Sequence, residues 1–224
     1  MMPMKQRRGD PSGPKDRNGA PTAGSGWSGA AGDLRVEPLT PERWPDLVRL
    51  FSSGGNPRWC WCAWWRVPSR EWQTNDQVRN QAVLRAAVDS GRPPGLIAYL
   101  GEPPAGWVSL GPRDEFTRLE RSKLLARVDD SPVWSIVCFF VARAHRRRGI
   151  ARRLLRAAVD FARRSGASCL EAYPVDPGES RLPAASAYTG TIRLFVAEGF
   201  VSVAERRWSP TSQARRIVRL QLRP

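Results

Sequence analysis

The stretch VWSIVCFFVARAHRRRGIARRLL, residues 133–155, decides how this chain folds. Residues 133–142 are continuously apolar and β-rich, the pattern of a strand buried on both faces. The text then turns basic and opens GIARRLLRAAVDFARRSG, residues 149–166. There Ile150, Leu154, Leu155, Ala158 and Ala162 share one helical face, most arginines lie on the other, and Gly166 supplies a stop. A second β-rich run, SCLEAYPV, follows at once from Ser168. A buried strand, an amphipathic helix and another strand in so short a span predict a right-handed parallel crossover.

Upstream, LRVEPL from Leu34 alternates like a short strand. TPERWPDLVRLFSS enters a helix at Thr-Pro-Glu and carries Trp44, Leu47, Val48 and Phe51 at helical spacing. NDQVRNQAVLRAAVDSG reads as a second helix with an Asn or Asp cap and apolar Val78, Val83, Leu84 and Val88. GLIAYLGEPPAGWVSLG is two strands around a Pro-containing turn, the best hairpin signal in the chain. TRLERSKLLARV reads as weak helix or loop. Downstream, TGTIRLFVAEGF is a short helix ending at Gly199, and FVSVAE and RIVRLQL close with two strands. The order β-α-α-β-β-β-α-β-α-β-β is that of a mixed α/β fold. An exposed final strand would offer an edge for a homodimer.

The 224 residues fit one domain, large enough to bury a core without staples. Residues 1–33 hold almost no large apolar side chains except Trp27, so a disordered tail is expected there, with the folded domain at 34–224. No apolar run follows the basic start as in a signal peptide, and the longest apolar run is too short to span a membrane. The four cysteines, Cys60, Cys62, Cys138 and Cys169, are few and unevenly spaced, which argues for a soluble, reducing, cytoplasmic protein. Cys60 and Cys62 form a C-x-C, and the single histidine is His145, so no metal site is expected. The net charge of +15 is almost all arginine and implies an anionic partner.

Within the deciding stretch, Gly149 removes a side chain where backbone could approach a ligand closely. The N–H groups that follow are the unpaired donors of a helix N-terminus, which favours an anion by about 0.3–1 kcal/mol even when exposed. Arg146, Arg147 and Arg148 add charge beside them. A solvated basic turn would look similar; the flanking strand, helix and second strand raise pyrophosphate binding above it.

Those residues resemble the acyl-CoA signature of the GNAT superfamily of N-acetyltransferases. That signature is a strand ending in Val, then Arg or Gln, two residues, Gly, any residue, and Gly or Ala. Here the matching positions are Val141, Arg146, Gly149 and Ala151, followed by Leu154 and Leu155. LFVAEGF resembles the family's short helix and Gly-Phe turn, and the likeness covers residues 34–224. It implies a mostly antiparallel mixed sheet with one parallel strand–helix–strand unit and acetyl-CoA as co-substrate. It further implies that the backbone of Phe139, Phe140 and Val141 bonds the pantetheine arm, and that Arg146, Arg147, Arg148, Gly149, Ile150, Ala151 and Arg152 hold the pyrophosphate. The acetyl group would pass directly from thioester to an amine of a small molecule or protein.

An alkyl amine, with pKa near about 10.4, must lose a proton before it attacks. Glu171 and Asp176 are the candidate bases, and a carboxylate paired with nearby arginine is the competing reading of both. The oxyanion would meet a backbone N–H at the strand end, Val141. The family's usual proton donor, a Tyr before the Gly-Phe turn, is Phe195 here, which leaves Tyr188, Tyr173 or unassisted departure of the thiolate. RWCWCAWWRVP, with Trp72, holds five of the ten tryptophans, either as an aromatic acceptor wall or as packing. Two rivals stand beside the transferase. One is a non-catalytic acyl-CoA sensor, suggested by Phe195. The other is a basic nucleic-acid-binding protein, disfavoured because no recognition motif appears and no aromatics interleave the basic run.

Overall fold

The computed structural model describes residues 34–72, 76–176, 187–209, 211–212 and 214–222. The expected tail, 1–33, lies outside them. In chain order the elements are β1 (Leu34–Pro38), α1 (Trp44–Ser52), α2 (Pro57–Cys60), α3 (Gln77–Asp89), β2 (Gly95–Leu100), β3 (Pro104–Pro112) and α4 (Thr117–Glu120). Then come β4 (Trp134–Val141), α5 (Ile150–Arg164), β5 (Cys169–Ala172), α6 (Ile192–Val196), β6 (Val201–Arg206) and β7 (Arg215–Gln221). The strands form one sheet in the order β1-β2-β3-β4-β5-β7-β6. Every neighbouring pair is antiparallel except β4–β5, the pair that α5 connects.

α5 lays Ile150, Leu154, Leu155 and Ala158 on one face of the sheet, against Leu96, Ala98, Val108 and Ile136. A β-carbon on Gly106 would come within 2.9 Å of Ile150, so the missing side chain lets helix and strand approach. The opposite face carries α1 and α3, with Leu47, Leu50, Phe51 and Leu84 over Ile97, Tyr99 and Trp107. Asp76 caps α3 by accepting the Arg79 N–H at 2.8 Å. The inward row of α3 is Asn80, Leu84 and Val88, whereas Val78 is 79% exposed, because the helix starts one position beyond the Asp cap and turns Val78 to solvent.

Two other expectations are corrected. The last strand, β7, is interior, paired with β5 on one side and β6 on the other, so β6 is the edge. The strand after α5 ends at Ala172 and pairs with β4 only from Trp134↔Leu170 to Ile136↔Ala172. The reason is a bulge. The β3–β4 register runs Ser109↔Cys138 and then Leu110↔Ile136, which leaves Val137 as an extra residue in β4. A bulge bends its strand and sharpens the twist, so beyond Ile136 β4 follows β3 and parts from β5.

Candidate functional site

At the parting of β4 and β5 two cavities adjoin, one of about 470 Å³ and one of about 610 Å³. Phe139, Phe140, Arg146 and Tyr188 line both, so the cavities meet along the free edge of β4.

The smaller cavity is built by the loop between β4 and α5. Arg143–His145 makes a tight turn, Arg146 is extended, and Arg147 (φ 63°) and Gly149 (φ 75°) are both left-handed. Such a loop turns successive N–H groups inward. Among the described residues no side chain caps α5, so the N–H groups of its first turn, at Ile150, Ala151 and Arg152, remain available beside the cavity. A β-carbon on Gly149 would meet nothing within 4 Å, so the cradle is open. Arg146 donates from Nε to the Val141 carbonyl at 3.2 Å, and Arg147 also lines the cavity. His145 lines it too, and its Nδ1 is buried with no partner among the described residues. Open space, helix N–H donors, two arginines and an unpaired ring nitrogen fit a pyrophosphate. Arg148 is not among the residues lining this cavity, and the side chain of Arg152 joins Arg156 on Glu198. Their expected contacts reduce to the backbone N–H of Arg152.

Strand alternation sorts the β4 backbone. Ala142 N–H donates to Ala105 at 3.0 Å, which directs the backbone of Phe140 towards β3 and that of Phe139 and Val141 to the open edge. Phe140 therefore offers its ring to the site and not the backbone bonds expected of it. The Phe139 N–H donates at 2.6 Å to the carbonyl of Tyr188, a residue that takes the place vacated by β5. The Val141 N–H faces the opening.

The larger cavity is walled by Trp59, Trp64, Trp65 and Trp72, with Cys60, Cys62 and Cys138 between them. The tryptophan-rich stretch thus divides. Trp61 is 1% exposed and stacks on Trp44 at 5.6 Å, inside the core with Phe51. Trp61 (φ 46°) and Cys62 (φ 53°) are both left-handed. That costs about 1–2 kcal/mol per residue, less than the ~4–6 kcal/mol expected from burying an indole. Arg118 lies over Trp64 at 3.4 Å, so that ring face is already engaged. No Asp or Glu is among the described residues lining this cavity.

Glu171 is 1% exposed and stands in neither cavity. Its Oε1 accepts from Arg113 at 2.9 Å and from the Tyr173 hydroxyl at 2.6 Å, and its Oε2 accepts from Arg219 Nε at 2.8 Å. Arg113 also reaches Glu120, Tyr173 and the carbonyls of Leu119 and Leu125, so all five of its N–H groups are used. Asp176 is bound by Arg216 at 3.1 Å. Both carboxylates match the ion-pair reading. Tyr173 is buried in the same network, its hydroxyl pushed up chiefly by burial. Phe195 is fully buried edge-on to Phe139 and Phe200. Of the proton donors considered from sequence, Tyr188 alone borders both cavities, with burial raising its hydroxyl. Sequence reasoning missed Arg113 and the grouping of three thiols, whose long-range contacts leave no local signal, and it gave His145, inside the basic loop, no part in the site.

A family model described as "Acetyltransferase (GNAT) family" matches residues 59–189. Among solved structures, yncA of Salmonella typhimurium, described as an acetyltransferase and solved with its cofactor acetyl-CoA, is 20% identical with a TM-score of 0.53. That match covers 85% of this chain and 94% of the other. A GNAT-family protein of Desulfovibrio desulfuricans (16% identity, TM-score 0.52) matches over 85% and 99% of the two chains. The same coverage holds for an N-acetyltransferase of Staphylococcus aureus Mu50 (13% identity, TM-score 0.52). At these identities the likeness is one of fold. A comparison with curated proteins finds no match.

Proposed function

This chain belongs to the GNAT family of acetyltransferases, and we propose that its acetyl transfer takes place where the two cavities meet. The activity is acetyl-CoA-dependent N-acetyl transfer. In this reading the smaller cavity holds acetyl-CoA and the larger one the amine. The shared wall of Phe139, Phe140, Arg146 and Tyr188 is the observation that carries it.

Arg146, Arg147 and the uncapped turn of Gly149, Ile150, Ala151 and Arg152 bind the pyrophosphate by charge and by directed N–H groups. The Val141 N–H receives the oxyanion, which needs a fixed donor and no particular side chain. Tyr188 gives its proton to the departing sulfur. Glu171 holds the sheet together at Arg113 and Arg219 and takes no part in the proton transfer. The transferase domain is residues 34–224, acting in a reducing cytoplasm that suits four free thiols. The acceptor is a small-molecule or protein amine.

The test is calorimetric binding of acetyl-CoA to the wild type and to Gly149→Glu, with thiol release measured over a panel of amines. The wild type should bind and release CoA with at least one amine, and the variant should do neither. Equal affinity for both proteins would sink the site. Binding without turnover of any amine would favour the sensor.

A further inference from the structure

The acceptor cavity poses a charge problem. A protonated amine must be held and must lose a proton, yet no described lining residue is a carboxylate, and Glu171 is engaged elsewhere. The cavity does contain an assembled anion site around one sulfur. The Trp107 indole N–H donates to Cys62 Sγ at 3.3 Å, and since an indole is donor-only the sulfur must accept. Trp107 is fully buried, so water cannot substitute. Cys138 lines the same cavity, its Sγ directed to the Phe139 carbonyl at 3.9 Å, and it favours the charged form of Cys62. The Arg66 side chain, 8% exposed, lies close enough to act on Cys62 electrostatically. Among the described residues Arg66 Nε and Nη2 are buried without a partner, and its one carboxylate contact, Glu115 at 3.4 Å, is shared with Arg92. A buried guanidinium so poorly paired calls for an anion.

Resting on the transferase reading above, we propose that Cys62 is a thiolate in the acceptor cavity, where it is the counter-charge for a protonated amine and the base that takes its proton. The left-handed pair Trp61–Cys62 carries the sulfur to Trp107 of β3, in a cavity that Cys138 of β4 also lines. The neighbouring Cys138 thiol, then the Trp107 N–H and Arg66, lower the Cys62 thiol from its ordinary 9.0 against the opposing effect of burial. Its neighbours move the other way. Burial and the charge of Cys62 push Cys60 up to about 12, and Cys138 rises through the neighbouring Cys62 and its own burial. The negative charge is thus concentrated on one of three sulfurs. Charged and titratable groups facing it are Cys60, Cys138 and Arg66, with Glu115 and Arg92 behind Arg66, and Tyr188 beside Cys60 and Cys138.

The chemistry balances. The ammonium gives one proton to the Cys62 thiolate. The freed lone pair forms the C–N bond, and the C–S bond breaks with its electrons on the CoA sulfur. The second nitrogen proton reaches that sulfur through the Tyr188 hydroxyl, and Cys62 returns its own proton to solvent. Ammonium and acetyl-CoA become amide, CoA thiol and one proton.

The full chain tests this in two readouts. Thiolate absorbance at 240 nm, followed against pH, should show one thiol titrating below 9.0 in the wild type and in Cys60→Ser, and none in Cys62→Ser. Cys138→Ala should raise that midpoint. With a primary amine that is turned over, the acid limb of kcat/KM should track the midpoint and shift upward with it in Cys138→Ala. Cys62→Ser should lose ~10²–10⁴-fold in kcat with an unchanged KM for acetyl-CoA. A merely structural cysteine would move neither the limb nor its coincidence with the absorbance. Should Cys62→Ser fail to fold, the Cys138→Ala shift decides. No thiolate assignable to Cys62 below 9.0, or full kcat in a folded Cys62→Ser, overturns the proposal. If no amine is turned over, the transferase reading fails and takes the base role with it, while absorbance still decides the thiolate.

Discussion

Glu171 shows what a single residue can and cannot reveal. Its place in an apolar strand marks it as unusual, since an isolated buried carboxylate costs several kcal/mol and needs partners. The partners themselves are invisible in the sequence. Arg113 lies before β4 and Arg219 in the interior β7, and only the sheet order β4-β5-β7 brings them to one carboxylate. Removing that charge would take one carboxylate from each of two arginines less than a tenth exposed, leaving Arg113 with Glu120 and Arg219 with Asp129. Glu171→Gln is therefore expected to lose ~3–5 kcal/mol in urea unfolding, with the KM for acetyl-CoA unchanged in the folded fraction. A fully stable Glu171→Gln with collapsed kcat would return Glu171 to the chemistry. Tyr188 is the converse case. It stands out in sequence only as a residue in the place of an Asn, and the fold carries it to the edge where its carbonyl accepts the Phe139 N–H.

Elements were legible wherever their signals are local. β4, α5 and the β2–β3 hairpin follow from periodicity, capping and turn residues within a few positions of one another. The wedge did not, because the Val137 bulge is a mismatch between strands whose paired residues lie 26 to 29 positions apart, Ser109↔Cys138 and Leu110↔Ile136. A one-residue slip of register has no composition of its own. The interior position of β7 escaped for the same reason. At this scale the loop into α5 makes the sharpest claim. Gly149 holds a left-handed φ with open space where a side chain would go. A Cβ there meets no atom but must adopt φ 75°, so Gly149→Ala should cost about 1 kcal/mol in stability and leave acetyl-CoA binding nearly intact. Gly149→Glu adds a carboxylate inside the cradle and should weaken that binding at least ~100-fold, about 2.7 kcal/mol, at a similar stability cost. Equal affinities for the Ala and Glu variants by calorimetry would place the phosphates elsewhere.

Over the whole molecule, many arginines are paired with carboxylates, and the net charge of +15 is what those pairs leave over. Arg152 and Arg156 share Glu198, Arg219 joins Asp129 to Glu171, and Arg216 bridges Asp176 and Glu205. Within the basic run 143–164, Arg152, Arg156 and Arg163 have carboxylate partners, and pairs of this kind set the response to acid. The Arg219 guanidinium and the Ser131 N–H hold Asp129 down from 3.8 to about 2, and Arg156 with Arg152 lowers Glu198 below 4.5. Each carboxylate binds protons more weakly folded than unfolded, so each stabilises fully above its unfolded value and ceases to do so as pH falls through its folded one. Every proton gained also releases an arginine into a chain already strongly positive, adding self-repulsion. The urea midpoint is accordingly expected to fall between about pH 4.5 and about pH 2. Asp129→Asn should unfold earlier than the wild type at neutral pH and converge with it near pH 2, where the native Asp129 is itself half protonated. A gap of constant size across that range would mean that Asp129 acts through packing and not through its charge on Arg219.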